Sequence, residues 1–391
     1  MIEMSNPLVS EIMTEYAEST GLLKDGSSPR RYLWTDAFAV CNFLDLYRQT
    51  GDGHYRHLAS LLIDQVHAVL GRHRDDDTRS GWISGLDERE GASHPTIGGL
   101  RIGKEMNERR PGDPFDEQLE WDRDGQYYHY LVQWMHSLDR MSVATGETTY
   151  NKWAIELAKT AHERFTYSPK EGGQKRLYWK MSIDLSYPLV PSMSQHDPID
   201  GLITYSELRA TARKYSVQSA LPDLNGEIAD IADICTGKSL ITDDPLGLGG
   251  LLTGACKIGQ LVIEDNFVLP DLLEIVAASS LIGLESYVRD ASLKLPPDSR
   301  LAFRELGLSI GLQALERLKV MLEQYPGAFK KYRSARSNLG RLMQYVPLSG
   351  TINSFWLEPK NREYASWKAH RNINMVMLAT SLAPDGYILL Q

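Results

Sequence analysis

Cysteine is scarce in this chain. Cys41, Cys235 and Cys256 are odd in number, far apart and set in apolar surroundings. That spacing excludes a disulfide framework and a cysteine–histidine zinc site, and it predicts buried thiols. Linkers are missing too. No Gly/Ser- or Pro-rich stretch, charge block or low-complexity run divides the 391 residues, so the sequence predicts one domain over 1–391. The first twenty residues mix Glu3, Glu11 and Glu15 with apolar side chains and lack the regions of a signal peptide. On this reading no apolar run has bilayer length. There is no Walker A loop, no Gly-X-Gly-X-X-Gly after a strand and no Gly-X-Ser-X-Gly elbow. The net charge of −9 is moderate and spread out, which disfavours nucleic acid as a partner. The expectation is a soluble, cytoplasmic protein with no membrane or nucleic-acid partner; the sequence does not fix its oligomeric state.

What the chain does contain is a repeat. An apolar helix ends at Tyr47 and passes through Thr50-Gly51-Asp52 to Tyr55, Ala59, Leu62 and His67. The same order returns 95 residues on as Thr145-Gly146-Glu147, Tyr150, Ala154, Leu157 and His162. Each unit reads as helix, glycine turn, helix, the mark of an array of helical hairpins. Apolar periodicity predicts about twelve helices, among them roughly 32–49, 54–71, 125–144, 149–165, 199–215, 246–263 and 366–382. Gly247-Leu248-Gly249-Gly250 follows no strand and reads as close helix packing. Short turns alternate with long connections at 72–124, 166–198 and 346–365, which are rich in Trp, Asp, Gly and Pro and are expected to carry function. A short β-hairpin is expected around 177–190.

Helix pairs with Thr-Gly-Asp turns and aromatic–acidic long loops resemble the six-hairpin, or (α/α)6, toroid superfamily. That superfamily includes glucoamylase-like and unsaturated-glucuronyl hydrolases, polysaccharide lyases and the N-acylglucosamine 2-epimerase family. The resemblance implies an all-α toroid of six hairpins with one deep pocket at the long-loop rim. A narrower similarity lies in Trp356, Pro359 and Trp367-Lys368-Ala369-His370-Arg371-Asn372, which is similar to the Trp-Lys…His-Asn segment of the sugar 2-epimerases. It implies a general acid/base role for His370. The second histidine of those enzymes has no counterpart on the 246–263 helix, which departs from a two-base pattern.

Three predicted inner helices open with acids: Asp36 beside Trp34, then Glu120-Trp121-Asp122-Arg123-Asp124, then His196-Asp197-Pro198-Ile199-Asp200. Each acid also has a plain reading as a helix cap, Asp124 and Asp197 above all. If they converge, they supply the two carboxyls that glycoside hydrolysis needs, while indoles stack on pyranose faces. The leading expectation is therefore a cofactor-free glycoside hydrolase acting on a small-molecule or oligosaccharide substrate. Asp122 and Asp197 are its catalytic pair. Asp36, Glu120, His196, Asp200, His370 and Asn372 contact the sugar, and Trp34, Trp121, Trp356 and Trp367 are stacking platforms. The alternatives are a sugar epimerase or isomerase using His370, a lyase drawing on Tyr127, Tyr128 and Asn372, and a non-catalytic carbohydrate- or partner-binding toroid. His67 and His162 read as packing or surface residues, and Asp75-Asp76-Asp77 as solvated loop acids.

Overall fold

The computed structural model describes residues 2–23, 29–215, 223–264, 267, 269 and 271–390. The chain is all-α, with a few two- and three-residue strands, as the sequence predicts. It divides into two compact units, Ala17–Thr236 and Met1–Tyr16 with Gly237–Gln391.

The Ala17–Thr236 unit contains three helical hairpins. The helices are α2 (Leu33–Thr50) with α3 (Gly53–Leu70), α6 (Tyr128–Thr145) with α7 (Thr148–Phe165), and α8 (Asp197–Lys214) with α9 (Asn225–Cys235). Their first members, α2, α6 and α8, lie side by side and are enclosed: every residue from Leu33 to Leu46 is buried. The repeat is legible atom by atom. Gly51 (φ 73°) and Gly146 (φ 76°) end α2 and α6 in the left-handed region that glycine enters without a Cβ penalty. Thr50 Oγ1 donates to Leu46 O and Thr145 Oγ1 to Met141 O, each at 2.7 Å. His67 is buried and accepts a bond from Trp134 Nε1 at 3.1 Å, whereas His162 bonds Asp230 at 3.0 Å, so both serve packing.

The long connections are less bare than predicted. Between α3 and α6 run the short helices α4 (Glu88–Ser93) and α5 (Glu117–Asp122). Strands β1 (Gln126–Tyr127), β4 (Lys180–Met181) and β5 (Pro188–Val190) form an antiparallel sheet in the order β1-β4-β5, and β2 (Thr166–Tyr167) pairs with β3 (Arg176–Leu177). The expected hairpin is thus β4–β5, with β1 added at its edge. Asp76 and Asp77 are not free loop acids: Arg74 holds the first at 2.6 Å and Arg79 the second at 2.7 Å.

The other unit pairs α10 (Pro245–Ile263) with α11 (Leu272–Arg289), and α12 (Ala302–Gln324) with α13 (Arg333–Leu342). The sequence pattern also predicts a helix near 270–290, whose first residue lies outside the described ones. In α16 (Arg371–Leu382), which packs on α12, Arg371 pairs with Glu15 of α1 (Ile2–Ser19). By length and composition α10 does qualify as a membrane span, contrary to the sequence reading. Two-thirds of it is buried in the unit. A Cβ on Gly249 would meet Gly307 O of α12 at 2.1 Å, so within Gly247-Leu248-Gly249-Gly250 it is Gly249 that serves close helix packing, while Gly250 faces open space. The segment 346–365 is not a loop either, because α14 (Leu348–Leu357) packs on α12 within it.

Candidate functional site

The site in the Ala17–Thr236 unit is built on the first turns of α6 and α8 and on the β-sheet beside them. Gln126 fixes the start of α6. Its buried carboxamide accepts from Leu100 N at 2.8 Å and donates to Gly98 O at 3.0 Å and Ile183 O at 2.7 Å, tying two loops to the start of the helix. The next residues then project an aromatic wall. Tyr127 lies 5.3 Å from Trp179 and 5.1 Å from Tyr130 between ring centres. Trp121 meets Trp179 edge-to-face at 5.0 Å. Tyr130 reaches Trp34 at 6.5 Å, and its hydroxyl is 2.7 Å from that of Tyr32. Phe115, Glu120, Trp121, Tyr127, Trp179 and Ser192 line a cleft of ≈ 290 Å³. Aromatic walls with a few convergent polar groups are the usual make-up of a small-molecule site.

Beside this cleft, His129 stacks parallel to Trp179 with rings 6.4 Å apart, and its Nδ1 faces Asp197 Oδ1 at 3.9 Å. Neither His129 Nδ1 nor Asp197 Oδ2 has a hydrogen-bond partner, although both are buried. Unpaired buried polar atoms are costly and therefore call for a functional account. Burial pushes the Asp197 carboxyl up to about 8, with Asp200 adding to the rise and a bond from Ser194 opposing it. Burial also pushes the His129 imidazole down to about 4. At neutral pH the pair is thus a neutral imidazole beside a protonated acid. The His129 side chain is 27% exposed while its Nδ1 is sealed, so the edge carrying Nε2 is the one open to a ligand. A neutral imidazole with an open Nε2 edge can accept a proton there.

Lys180 and Arg109 hold the cleft's floor. Lys180 Nζ, fully buried and lowered to about 8 by desolvation, donates to Glu120 O at 2.6 Å and Arg123 O at 2.9 Å. Arg109 Nε donates to Glu120 Oε1 at 2.8 Å, and its Nη2 donates to Leu189 O at 2.9 Å. Glu120 therefore anchors α5, and Trp121, 48% exposed, stands on that anchored helix.

Several predicted placements change. Asp122 does not open an inner helix: it ends α5, is exposed, and stands at the end of the helix dipole that disfavours a carboxylate. Asp124 caps nothing, since α6 begins at Tyr128; it is clamped by Arg101 at 2.6 Å and Arg74 at 3.3 Å. Asp36 accepts from Tyr32 N at 2.9 Å and pairs with Arg31 at 3.5 Å, so it serves its own helix start. Trp34 is buried against Phe38. His196, not Asp197, is the N-cap residue of α8, and Asp200, half-buried in its first turn, adds to the rise at Asp197. In the other unit the last helix breaks at His370, which is exposed and lies 5.6 Å from Phe303; Asn372 is half-buried just beyond it. Trp356 is fully buried, donates to Glu305 Oε2 at 2.8 Å and stacks on buried Trp367 at 5.7 Å, so neither indole offers a platform to a sugar.

His129 is the residue the sequence reading missed. The repeat itself held the signal: an offset of 95 carries Trp34, at the second position of α2, onto His129, at the second position of α6.

In sequence, no family model and no curated protein matches this chain. Among solved structures, a cellobiose 2-epimerase from Spirochaeta thermophila DSM 6192 is similar at 13% identity, covering 95% of this chain and 97% of that one with a TM-score of 0.46. A sugar epimerase from a ruminal bacterium is similar at 12% identity, covering 82% of this chain and 87% of that one with a TM-score of 0.44.

Proposed function

We propose that the cleft and dyad of the Ala17–Thr236 unit form a carbohydrate site whose chemistry is proton transfer on a free reducing sugar. The reaction class is isomerisation or epimerisation. The observation that carries this reading is the His129–Asp197 pair: a neutral imidazole with an open Nε2 edge, backed by a carboxyl that keeps its proton at neutral pH. Nε2 takes the proton from the carbon next to the carbonyl; the C–H pair becomes a C=C bond and the carbonyl π pair moves to oxygen, giving an enediolate. For isomerisation the imidazolium returns that proton to the former carbonyl carbon on the same face, while the proton of the neighbouring hydroxyl passes to the enediolate oxygen and its C–O bond becomes the new carbonyl. Epimerisation returns a proton to the opposite face and needs a second proton-transfer group. Trp121, Trp179 and Tyr127 supply the apolar face on which a pyranose stacks.

A hydrolase requires a second, ionised carboxylate across the scissile bond. Asp122 sits exposed at the end of α5, and Glu120 is engaged by Arg109 and Lys180. The raised carboxyl of Asp197 would still suit a general acid, so hydrolysis is the second reading. A panel of free sugars and glycosides separates the two. The proposal expects interconverted free sugars from the wild type and none from His129→Gln. Released reducing ends, lost in Asp197→Asn but kept in His129→Gln, would replace it with the hydrolase.

A further inference from the structure

We infer that the sugar taken by this site carries an anionic substituent, a carboxylate or a phosphate, and that Lys104 reads it. This rests on the carbohydrate reading above and adds the substrate class.

Lys104 leaves a backbone that is fixed on both sides. Gly103 (φ 93°) lies so close to the start of α2 that a Cβ would meet Arg31 O at 2.2 Å. Gly103 N donates to Asp124 Oδ1 at 3.0 Å, and Lys104 O accepts from Arg74 Nη1 at 2.5 Å. From that anchored point the side chain carries Nζ over the ring of Tyr32, 5.5 Å from its centre. Tyr32 bonds Tyr130, whose ring lies 4.8 Å from that of His129. The cation and the proposed base thus stand at two ends of one tyrosine wall. Lys104, Tyr32, Tyr130 and His129 all keep part of their surface open along it.

The charge of Lys104 is the one left unanswered here. Among the described residues no carboxylate lies within ion-pair distance of its Nζ, and desolvation lowers its pKa. Asp124 acts on it only at longer range, because that carboxylate is taken by Arg101, Arg74 and the Gly103 and Gly125 amides. Asp122 acts from the exposed end of α5, where solvent screens it. The neighbouring cations are committed: Arg109 and Lys180 hold Glu120 and backbone carbonyls. A half-desolvated ammonium with donors to spare is matched by an anionic oxygen. A pyranose with its reacting carbon at His129 directs a remote substituent along the wall toward it.

The test is calorimetric titration of wild type, Lys104→Met and Lys104→Arg with three matched sets of sugars. Each set holds a neutral hexose, its uronate and its 6-phosphate, with glucose, mannose and galactose as parents, at low and high salt. The expected result is that one anionic form binds about tenfold or more tighter than its neutral parent, a preference that falls with salt. Lys104→Met abolishes it and Lys104→Arg retains most of it. Uronate and phosphate arms distinguish the two anions. Equal binding of neutral and anionic forms, or a preference that survives in Lys104→Met, overturns the inference. If neutral sugars bind and turn over without an anion preference, the carbohydrate reading stands and the Lys104 assignment fails. If no sugar of any set binds, both fail.

Discussion

Two aromatic clusters, one in each unit, treat the same residue types in opposite ways. In the second unit Trp356 and Trp367 are buried, stack on each other, and Trp356 gives its indole N–H to Glu305, itself gripped by Arg300 at 2.6 Å. In the Ala17–Thr236 unit Trp121 is half exposed on the short α5, edge-on to Trp179, and beside them two buried polar atoms of His129 and Asp197 lack partners. Saturated hydrogen bonds around a buried aromatic mark structure. Unsaturated ones beside an accessible aromatic mark a candidate binding site. Residue type alone does not separate the two.

The contrast can be broken by substitution, and the largest effect falls on the dyad. His129→Gln is expected to lower kcat by about 10²–10⁴-fold, the range for losing a general acid/base, with the melting temperature kept. A loss of folding with residual specific activity intact would make His129 a packing residue. Trp356→Ala, on the structural side, is expected to cost roughly 3–5 kcal/mol in denaturant unfolding and to leave sugar affinity of the folded fraction unchanged. Weakened binding without destabilisation would erase the distinction between the units.

Asp197→Asn sharpens the comparison through pH. The folded carboxyl titrates at about 8 against its usual 3.8. Its contribution to stability is therefore full below about pH 4 and is lost as the pH rises toward 8. An amide has no such loss, so the variant should gain on wild type across that window, by roughly 1–3 kcal/mol at neutral pH, while turnover falls. His129 runs the other way. Depressed from 6.5 to about 4, it favours the folded state above pH 6.5 and loses that contribution as the pH falls. The kcat/KM profile should accordingly have limbs near 4 and 8, and a flat profile through pH 8 would remove Asp197 from the mechanism. The smallest effect is at Trp121. Trp121→Ala should change stability by no more than about 0.5 kcal/mol and weaken sugar binding about tenfold, the scale of one aromatic contact. Unchanged affinity in a titration would take the indole out of the site.

The hairpins were legible because turn chemistry is local. Thr50-Gly51 and Thr145-Gly146 specify the same left-handed cap and the same hydroxyl back-bond wherever they occur. The site was legible only in part. Asp197 and Trp121 could be picked by type and position, but Asp122 was misplaced because a short helix, α5, and strand β1 precede α6 where a loop to 124 and a helix from 125 were expected. Such pieces are too short to show a period. Trp356 was misjudged because 346–365 reads as loop, whereas α14 buries the indole against a glutamate 51 residues away. Burial and partner are tertiary facts. The His129–Asp197 approach joins two helices 68 residues apart, and no local pattern encodes it.

The most direct measurement is solvent exchange: a set of free aldoses and uronates is incubated in D2O with wild type and with His129→Gln, and the C2–H signal is followed by proton NMR. The account predicts deuterium at C2 of at least one sugar with wild type and none above background with the variant. No exchange with any sugar that binds, or exchange that persists undiminished in His129→Gln, would contradict it.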